Sequence, residues 1–145
     1  MTQQGLNAYR RTEVQSRTPL ELVVMLYDGA LRFVTSAREA MARKDIRARR
    51  DATSRLLAIL SQLQSTLDIQ QGGEVASSLD ALYDYMTERI TTAAVTHDPA
   101  PLDEVRRLLE MLREAWQSIA QGPTGDAAVA AGAGPSSASP VERAR

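Results

Sequence analysis

The 145-residue sequence contains no cysteine and only one histidine, and these absences exclude several kinds of functional site. Without cysteine the chain has no disulfide, no thiolate metal ligand and no cysteine nucleophile. The one histidine, His97, stands beside Asp98, and a single imidazole with a single carboxylate forms neither a metal site nor a catalytic triad. We therefore expect His97 to cap a helix end at the surface.

Long hydrophobic runs are also absent, as is an excess of charge of one sign. The chain has no apolar run of the roughly 18 residues needed to span a membrane. Its first residues lack a basic region followed by an apolar run, so no secretory signal is predicted and a cytoplasmic location is expected. The formal net charge is −1, which gives no overall indication of nucleic-acid binding.

The polar residues do not form a recognisable catalytic pattern. The Glu-x-x-His motif of di-iron helical bundles does not occur, and Gly72 and Gly73 lack the lysine and the spacing of a phosphate-binding loop. Asp80 and Asp84 share one helix face and could act as paired acids, but we interpret them as a solvated face or an arginine-contacting patch. We therefore predict no enzyme activity, no metal and no cofactor.

A basic segment at residues 43–50, with Arg55 beyond it, is the one local indication of an anionic partner. Asp45 and Asp51 interrupt the positive charge, and no aromatic residue is interleaved for base stacking. We interpret the segment as a solvated helix face, with nucleic-acid binding as the alternative.

The residues that are present favour helices, and the clearest helix begins after Thr18. Thr18 can cap the first turn, Pro19 takes the first helical position, and Glu21 can complete a capping box. This helix is predicted to end near residue 43. A break at residues 44–45 is predicted next, with Asp45 capping the second helix.

The first helix has two apolar rows, about twice the arc that an ordinary surface helix needs. The spacing of three and four residues in the first row is typical of a bundle core. The second row either touches a neighbouring helix or forms a docking surface for another chain, and periodicity does not separate these interpretations. The first row is Leu20, Val23, Tyr27, Ala30, Val34, Ala37 and Met41, and the second is Leu22, Leu26, Gly29 and Phe33.

Three further amphipathic helices are predicted from the same periodicity. The second is expected to end at Gly72 and Gly73, the third near His97, and the fourth to begin at Asp98 or Pro101 and stop before Pro123. Their predicted core positions are Ala52, Leu56, Ile59, Leu60, Leu63 and Leu67, then Val75, Leu79, Leu82, Met86 and Ile90, then Leu102, Val105, Leu109, Leu112, Trp116 and Ile119.

These elements predict an all-α protein with three parts. Residues 1–17 form a polar N-terminal arm, residues 18–122 an antiparallel up-down-up-down four-helix bundle, and residues 123–145 a disordered, low-complexity tail. Leu6 and Tyr9 are isolated apolar residues in the arm. We interpret the arm either as a frayed terminus or as a segment that contacts a groove or a partner.

Several motifs taken together resemble the FliS family of flagellar export chaperones over roughly residues 6–121. The most specific are Met-Leu-Tyr-Asp-Gly-Ala at residues 25–30 and Leu-Tyr-Asp-Tyr-Met at residues 82–86, followed by Ala-Trp at residues 115–116. The other matching segments are residues 7–9, 18–22, 67–68, 72–76, 98, 104–105, 108–109 and 112–114.

This resemblance implies a small helical bundle that holds the C-terminal segment of flagellin unpolymerised in the cytoplasm and hands it to the export gate. It also implies a monomer when free and a 1:1 complex with flagellin. The predicted flagellin-binding residues are Leu22, Leu26, Gly29, Phe33 and Tyr83. The predicted export-gate-binding residues are Leu6 and Tyr9. The alternative function is a non-enzymatic adaptor that binds another amphipathic helix or nucleic acid.

Overall fold

Four helices make up most of residues 17–121, which are the residues that the computed structural model describes. They are α1 (Pro19–Arg43), α2 (Ile46–Ser65), α3 (Ile69–Thr96) and α4 (Ala100–Ala120). α1 packs against α2 and α4, and α3 packs against the same two helices from the opposite corner. The predicted all-α, antiparallel four-helix bundle is therefore confirmed, with α1 and α3 on one diagonal.

Both ends of α1 follow the signals read from the sequence. The Thr18 hydroxyl accepts a hydrogen bond from the Glu21 amide at 3.1 Å, and the Glu21 carboxylate accepts one from the Thr18 amide at 3.0 Å. At the other end Lys44 adopts a left-handed conformation with φ of 60°. Asp45 then caps α2 by accepting a hydrogen bond from the Ala48 amide at 3.1 Å.

The predicted boundary between the second and third helices was wrong. α2 ends at Ser65, and Gly72 and Gly73 lie inside the first turns of α3. The start of α3 is set by Asp68, whose carboxylate accepts a hydrogen bond from the Gln71 amide at 3.2 Å. Gly73 has φ of 58° and ψ of −133°, so the glycine permits a kink after the first turn instead of ending a helix.

The core contains most of the predicted rows, but the row on α3 is shifted. Val75 and Leu82 are only half-buried, whereas their neighbours Ala76 and Tyr83 are fully buried. The shift keeps a regular alternation of three- and four-residue steps along the buried face. The observed α3 core row is Ala76, Leu79, Tyr83, Met86, Ile90 and Ala93.

Other predicted core positions are also only half-buried and pack against the edge of the core. They are Val23, Met41, Ile59, Leu67, Leu112 and Ile119.

Parts of the predicted organisation fall outside the described residues. These are the arm apart from Arg17, including Leu6 and Tyr9, and the tail at 123–145. Among residues 17–121, no helix is both long enough and apolar enough to cross a membrane.

The kink in α3 makes Gly73→Ala a test of backbone strain. Apart from its chain neighbours and the adjacent backbone of α3, no atom of residues 17–121 lies within 4 Å of a Cβ built on Gly73, so we attribute the expected loss of stability to its positive φ. We expect Gly73→Ala to lower the free energy of unfolding by about 1–3 kcal/mol. Urea unfolding should show this loss, and Ser77→Ala, at an exposed position one turn later, serves as the control. Equal stability of the two variants would contradict the strain.

Candidate functional site

An apolar cavity of about 300 Å³ lies between the N-terminal half of α1 and the C-terminal end of α2. It includes three of the five predicted flagellin-binding residues, Leu22, Leu26 and Tyr83. Its full lining is Pro19, Leu22, Val23, Leu26, Gln62, Leu63, Thr66, Leu67, Tyr83 and Trp116. A concave surface of this composition suits aliphatic side chains of another molecule.

The second apolar row of α1 divides into an open part and a covered part. Leu22 and Leu26 are half-buried and face the cavity. Gly29 is buried against α2, since a Cβ built on it would lie 3.0 Å from Cδ1 of Ile59. The absence of a side chain at Gly29 therefore allows α2 to approach α1 closely, and this contact lies beyond the cavity.

Phe33 continues the row but belongs to a different environment. Its ring lies 5.7 Å from the Arg32 guanidinium carbon and 5.9 Å from that of Arg55, within the range of cation–π contacts. It lines a separate depression that also includes Ala48 and Ala52. The five predicted residues therefore do not form one continuous surface within the described part of the chain.

A buried polar pair lies beside the cavity. The hydroxyl groups of Tyr27 on α1 and Tyr83 on α3 are 2.5 Å apart. Burial is the main cause that raises the pKa of both tyrosine hydroxyls, so both remain neutral at physiological pH. Trp116 completes this region from α4, with a buried indole nitrogen beside the Tyr27 hydroxyl.

The other acidic residues singled out in the sequence join helices to one another. The side-chain amide of Gln64 donates hydrogen bonds to the carboxylates of Asp80 at 2.9 Å and Asp84 at 2.8 Å. This arrangement links α2 to α3 and does not resemble a pair of catalytic acids. Within residues 17–121, no group of three or more histidine, cysteine or acidic side chains is placed to hold a metal ion.

Glu104 performs the same role between α3 and α4. Its carboxylate accepts hydrogen bonds from the Tyr85 hydroxyl at 2.6 Å and the Arg89 guanidinium at 2.7 Å. These two donors, the tyrosine first, hold the pKa of the Glu104 carboxyl below its usual value.

His97 caps α3 as expected, with φ of 59° and an amide that donates to the Ala93 carbonyl at 2.9 Å.

The interpretation of the basic segment as a solvated face was wrong at one position, because Arg49 is buried. A signal for this was present, because Arg49, Ala52 and Leu56 are spaced like a core row of α2.

The fold and the first cavity are those of a helical-bundle protein with an apolar cavity between two of its helices. The sequence matches the family model "Flagellar protein FliS" over residues 1–123. It is 36% identical over 123 residues to the flagellar secretion chaperone FliS of Salmonella typhimurium, covering 81% of this chain and 91% of that protein.

Two further relatives carry the same name. The chain is 33% identical over 119 residues to the flagellar secretion chaperone FliS of Vibrio cholerae, covering 79% of this chain and 88% of that protein. It is 32% identical over 124 residues to the flagellar secretion chaperone FliS of Bacillus subtilis, covering 86% of this chain and 92% of that protein. The chain therefore belongs to the FliS family of flagellar secretion chaperones.

The tyrosine pair beside the cavity can be tested by a double-mutant cycle. Tyr27→Phe or Tyr83→Phe alone leaves the other hydroxyl buried without this partner, so each should lower the free energy of unfolding by about 1–3 kcal/mol. The double variant should lose less than the sum of the two single losses, by about 0.5–3 kcal/mol. Urea unfolding of the four proteins measures this coupling. Tyr85→Phe, in a tyrosine that is 40% exposed and donates to Glu104, shows the loss expected when one hydrogen bond near the surface is removed. Strictly additive losses at Tyr27 and Tyr83 would contradict the coupling.

Proposed function

We propose that this protein is a cytoplasmic export chaperone that binds the C-terminal segment of flagellin. In this proposal it prevents premature polymerisation and delivers flagellin to the flagellar type III export gate. The supporting observation is the apolar cavity formed by Leu22, Leu26 and Leu63 in a member of the FliS family. Catalysis has no part in this function, because a partner that binds only the unassembled state of flagellin opposes its assembly by mass action.

The cavity suits the apolar face of an amphipathic segment that folds on binding. Each aliphatic side chain that becomes fully buried contributes roughly 1.5–3 kcal/mol. Ordering the partner segment costs at least about 2–5 kcal/mol, so several such side chains are needed for stable binding. The proposed complex contains one chaperone and one flagellin, and the free chaperone is a monomer.

The proposal assigns delivery to the N-terminal arm. Leu6 and Tyr9 are three residues apart, so one helical turn would display both on one face. Two such side chains bury little area, which suits a weak contact with the export gate that can be released after delivery.

The flagellin proposal is tested by placing a charge in the cavity. Leu26→Asp is expected to weaken binding of a flagellin C-terminal peptide at least about tenfold, because a carboxylate at the cavity wall would be desolvated by the apolar partner. Met111→Asp should leave the affinity unchanged, since Met111 is 65% exposed on α4 and does not line this cavity. Isothermal titration calorimetry measures both affinities.

A folding control separates binding from stability. Leu109 is fully buried in the core, so Leu109→Asp should unfold the bundle by burying an unpaired charge. Circular dichroism and thermal unfolding of Leu26→Asp should instead show a folded bundle. Unfolding of Leu26→Asp to the same extent as Leu109→Asp would show that this part of α1 is purely core.

The role proposed for the arm is tested by Leu6→Ala combined with Tyr9→Ala. We expect unchanged affinity for the flagellin peptide and loss of binding between the loaded complex and the cytoplasmic domain of the export gate. If the arm instead covers the cavity, the same double variant should bind flagellin more tightly, because a competing self-ligand has been removed. Calorimetry with the peptide and then with the gate domain distinguishes the two, and normal gate binding would rule out the delivery role.

A further inference from the structure

A second cavity, of about 360 Å³, lies at the other end of the bundle, where α1 ends and α2 begins. It is separate from the first cavity and shares no residue with it. Apolar side chains form part of its wall, and Lys44, Asp45, Arg49 and His97 form the rest. Its lining is Ala40, Met41, Lys44, Asp45, Ile46, Arg49 and His97.

Arg49 is the unusual member of this lining, because it is a buried cation with no counter-ion among residues 17–121. It is only 9% exposed, and no carboxylate of these residues lies within 4.0 Å of its guanidinium nitrogens. Within the described part of the chain, the hydrogen bond of its side chain runs to the Ala94 carbonyl at 3.5 Å, which is long for a charged donor. A guanidinium cannot escape the cost of burial by losing its proton.

The end of α3 offsets this charge only in part. Ala94 lies in the last turn of α3, where the helix dipole is equivalent to about half a negative charge. The five N–H donors of the guanidinium exceed what one carbonyl can accept. An oxyanion in the cavity would complete both the charge and the hydrogen bonding of Arg49.

The charges around the cavity leave an excess of positive charge for an oxyanion. Lys44 and Arg49 contribute two positive charges and Asp45 one negative charge. Asp45 is held in place by the Ala48 amide at 3.1 Å and by Arg43 at 3.8 Å. Inorganic phosphate lacks an apolar group that could contact Met41 and Ile46, so an oxyanion attached to an aliphatic group suits this lining better.

We propose that this second cavity binds a peptide carboxylate that is carried beside an aliphatic side chain. The carboxylate pairs with Arg49, and the aliphatic side chain packs on Met41 and Ile46. The Ile46 side chain is accessible to a partner, since this residue is 54% exposed.

The spacing of the two cavities identifies a peptide as the partner. Three pairs of residues, with one member lining each cavity, are 18 residues apart in the sequence, which is five full helical turns or about 27 Å. The pairs are Leu22 and Ala40, Val23 and Met41, and Leu26 and Lys44. The two cavities therefore lie at opposite ends of the α1–α2 interface, and a peptide that follows the outside of this interface, past the covered Gly29, would reach both. The choice of a peptide rests on the proposed function, whereas the carboxylate site at Arg49 does not.

The site is tested with a matched pair of small probes, N-acetyl-leucine and N-acetyl-leucinamide, which differ in the carboxylate. The full-length protein is titrated at constant ionic strength, and NMR follows the Met41 methyl group and the Arg49 side-chain N–H. We expect saturable shifts with N-acetyl-leucine and at least tenfold weaker binding of the amide. Inorganic phosphate should also bind at least tenfold more weakly, and acetyl-leucyl-glutamyl-amide shows whether a side-chain carboxylate serves as well as a terminal one.

Variants assign the effect to Arg49. Arg49→Met keeps the apolar stem and removes the charge, so it should abolish the preference for the acid over the amide. Arg50→Met, at the exposed neighbouring arginine, should bind as the native protein does. If Arg49→Met does not fold, Lys44→Asn replaces it, since asparagine tolerates the left-handed conformation at position 44. It removes the other positive charge of the lining, so it should weaken binding of the acid and leave binding of the amide unchanged.

Three results would overturn the proposal. The first is equal affinity for N-acetyl-leucine and N-acetyl-leucinamide, and the second is equal affinity for N-acetyl-leucine and phosphate. The third is the absence of an NMR shift at the Arg49 side-chain N–H, which is also the result if a carboxylate of the chain itself already fills the cavity. Loss of flagellin binding by Leu26→Asp concerns only the first cavity. Binding of N-acetyl-leucine by a protein that does not bind flagellin would uphold the site and reject only the proposed partner.

Discussion

The hydroxyl pair of Tyr27 and Tyr83 connects the two helices that face each other across the diagonal of the bundle. α1 and α3 otherwise pack mainly against α2 and α4, so this buried bond is a direct link between them. A buried hydroxyl needs a partner, and each tyrosine supplies the other's. Tyr83 belongs to the core and also lines the first cavity. The position of the proposed binding surface therefore depends on an interaction inside the core.

The close approach of α2 to α1 at Gly29 has a second consequence for the surface of the bundle. The two helices are in tight contact where Ile59 meets the glycine, and cavities lie towards both ends of their interface. The first cavity has mainly apolar walls, whereas the second contains Arg49 and Lys44. The two ends of one helix pair thus offer different chemistry, one suited to aliphatic side chains and the other to an oxyanion beside them.

The helix signals were local, which explains why sequence reasoning recovered them. Thr18, Pro19 and Glu21 start α1 through interactions within a single turn, and Asp45 caps α2 in the same way. The helix end predicted at Gly72 and Gly73 was wrong because glycine is common both at helix ends and at other backbone positions with positive φ. Only the cap at Asp68 and the kink at Gly73 distinguish these uses.

The sequence by itself determined the class of the fold, because helix starts and apolar periodicity depend on interactions within a few residues. It also contained the motifs typical of the FliS family. The tertiary structure decided which part of the second apolar row stays open. Leu22 and Leu26 share that row with Gly29, yet α2 covers only the glycine. It also decided that Arg49 turns inward while Arg50 stays in solvent. Neighbouring residues of one helix differ in this way because burial depends on how closely another helix approaches, and that distance is set by side chains far away in the sequence.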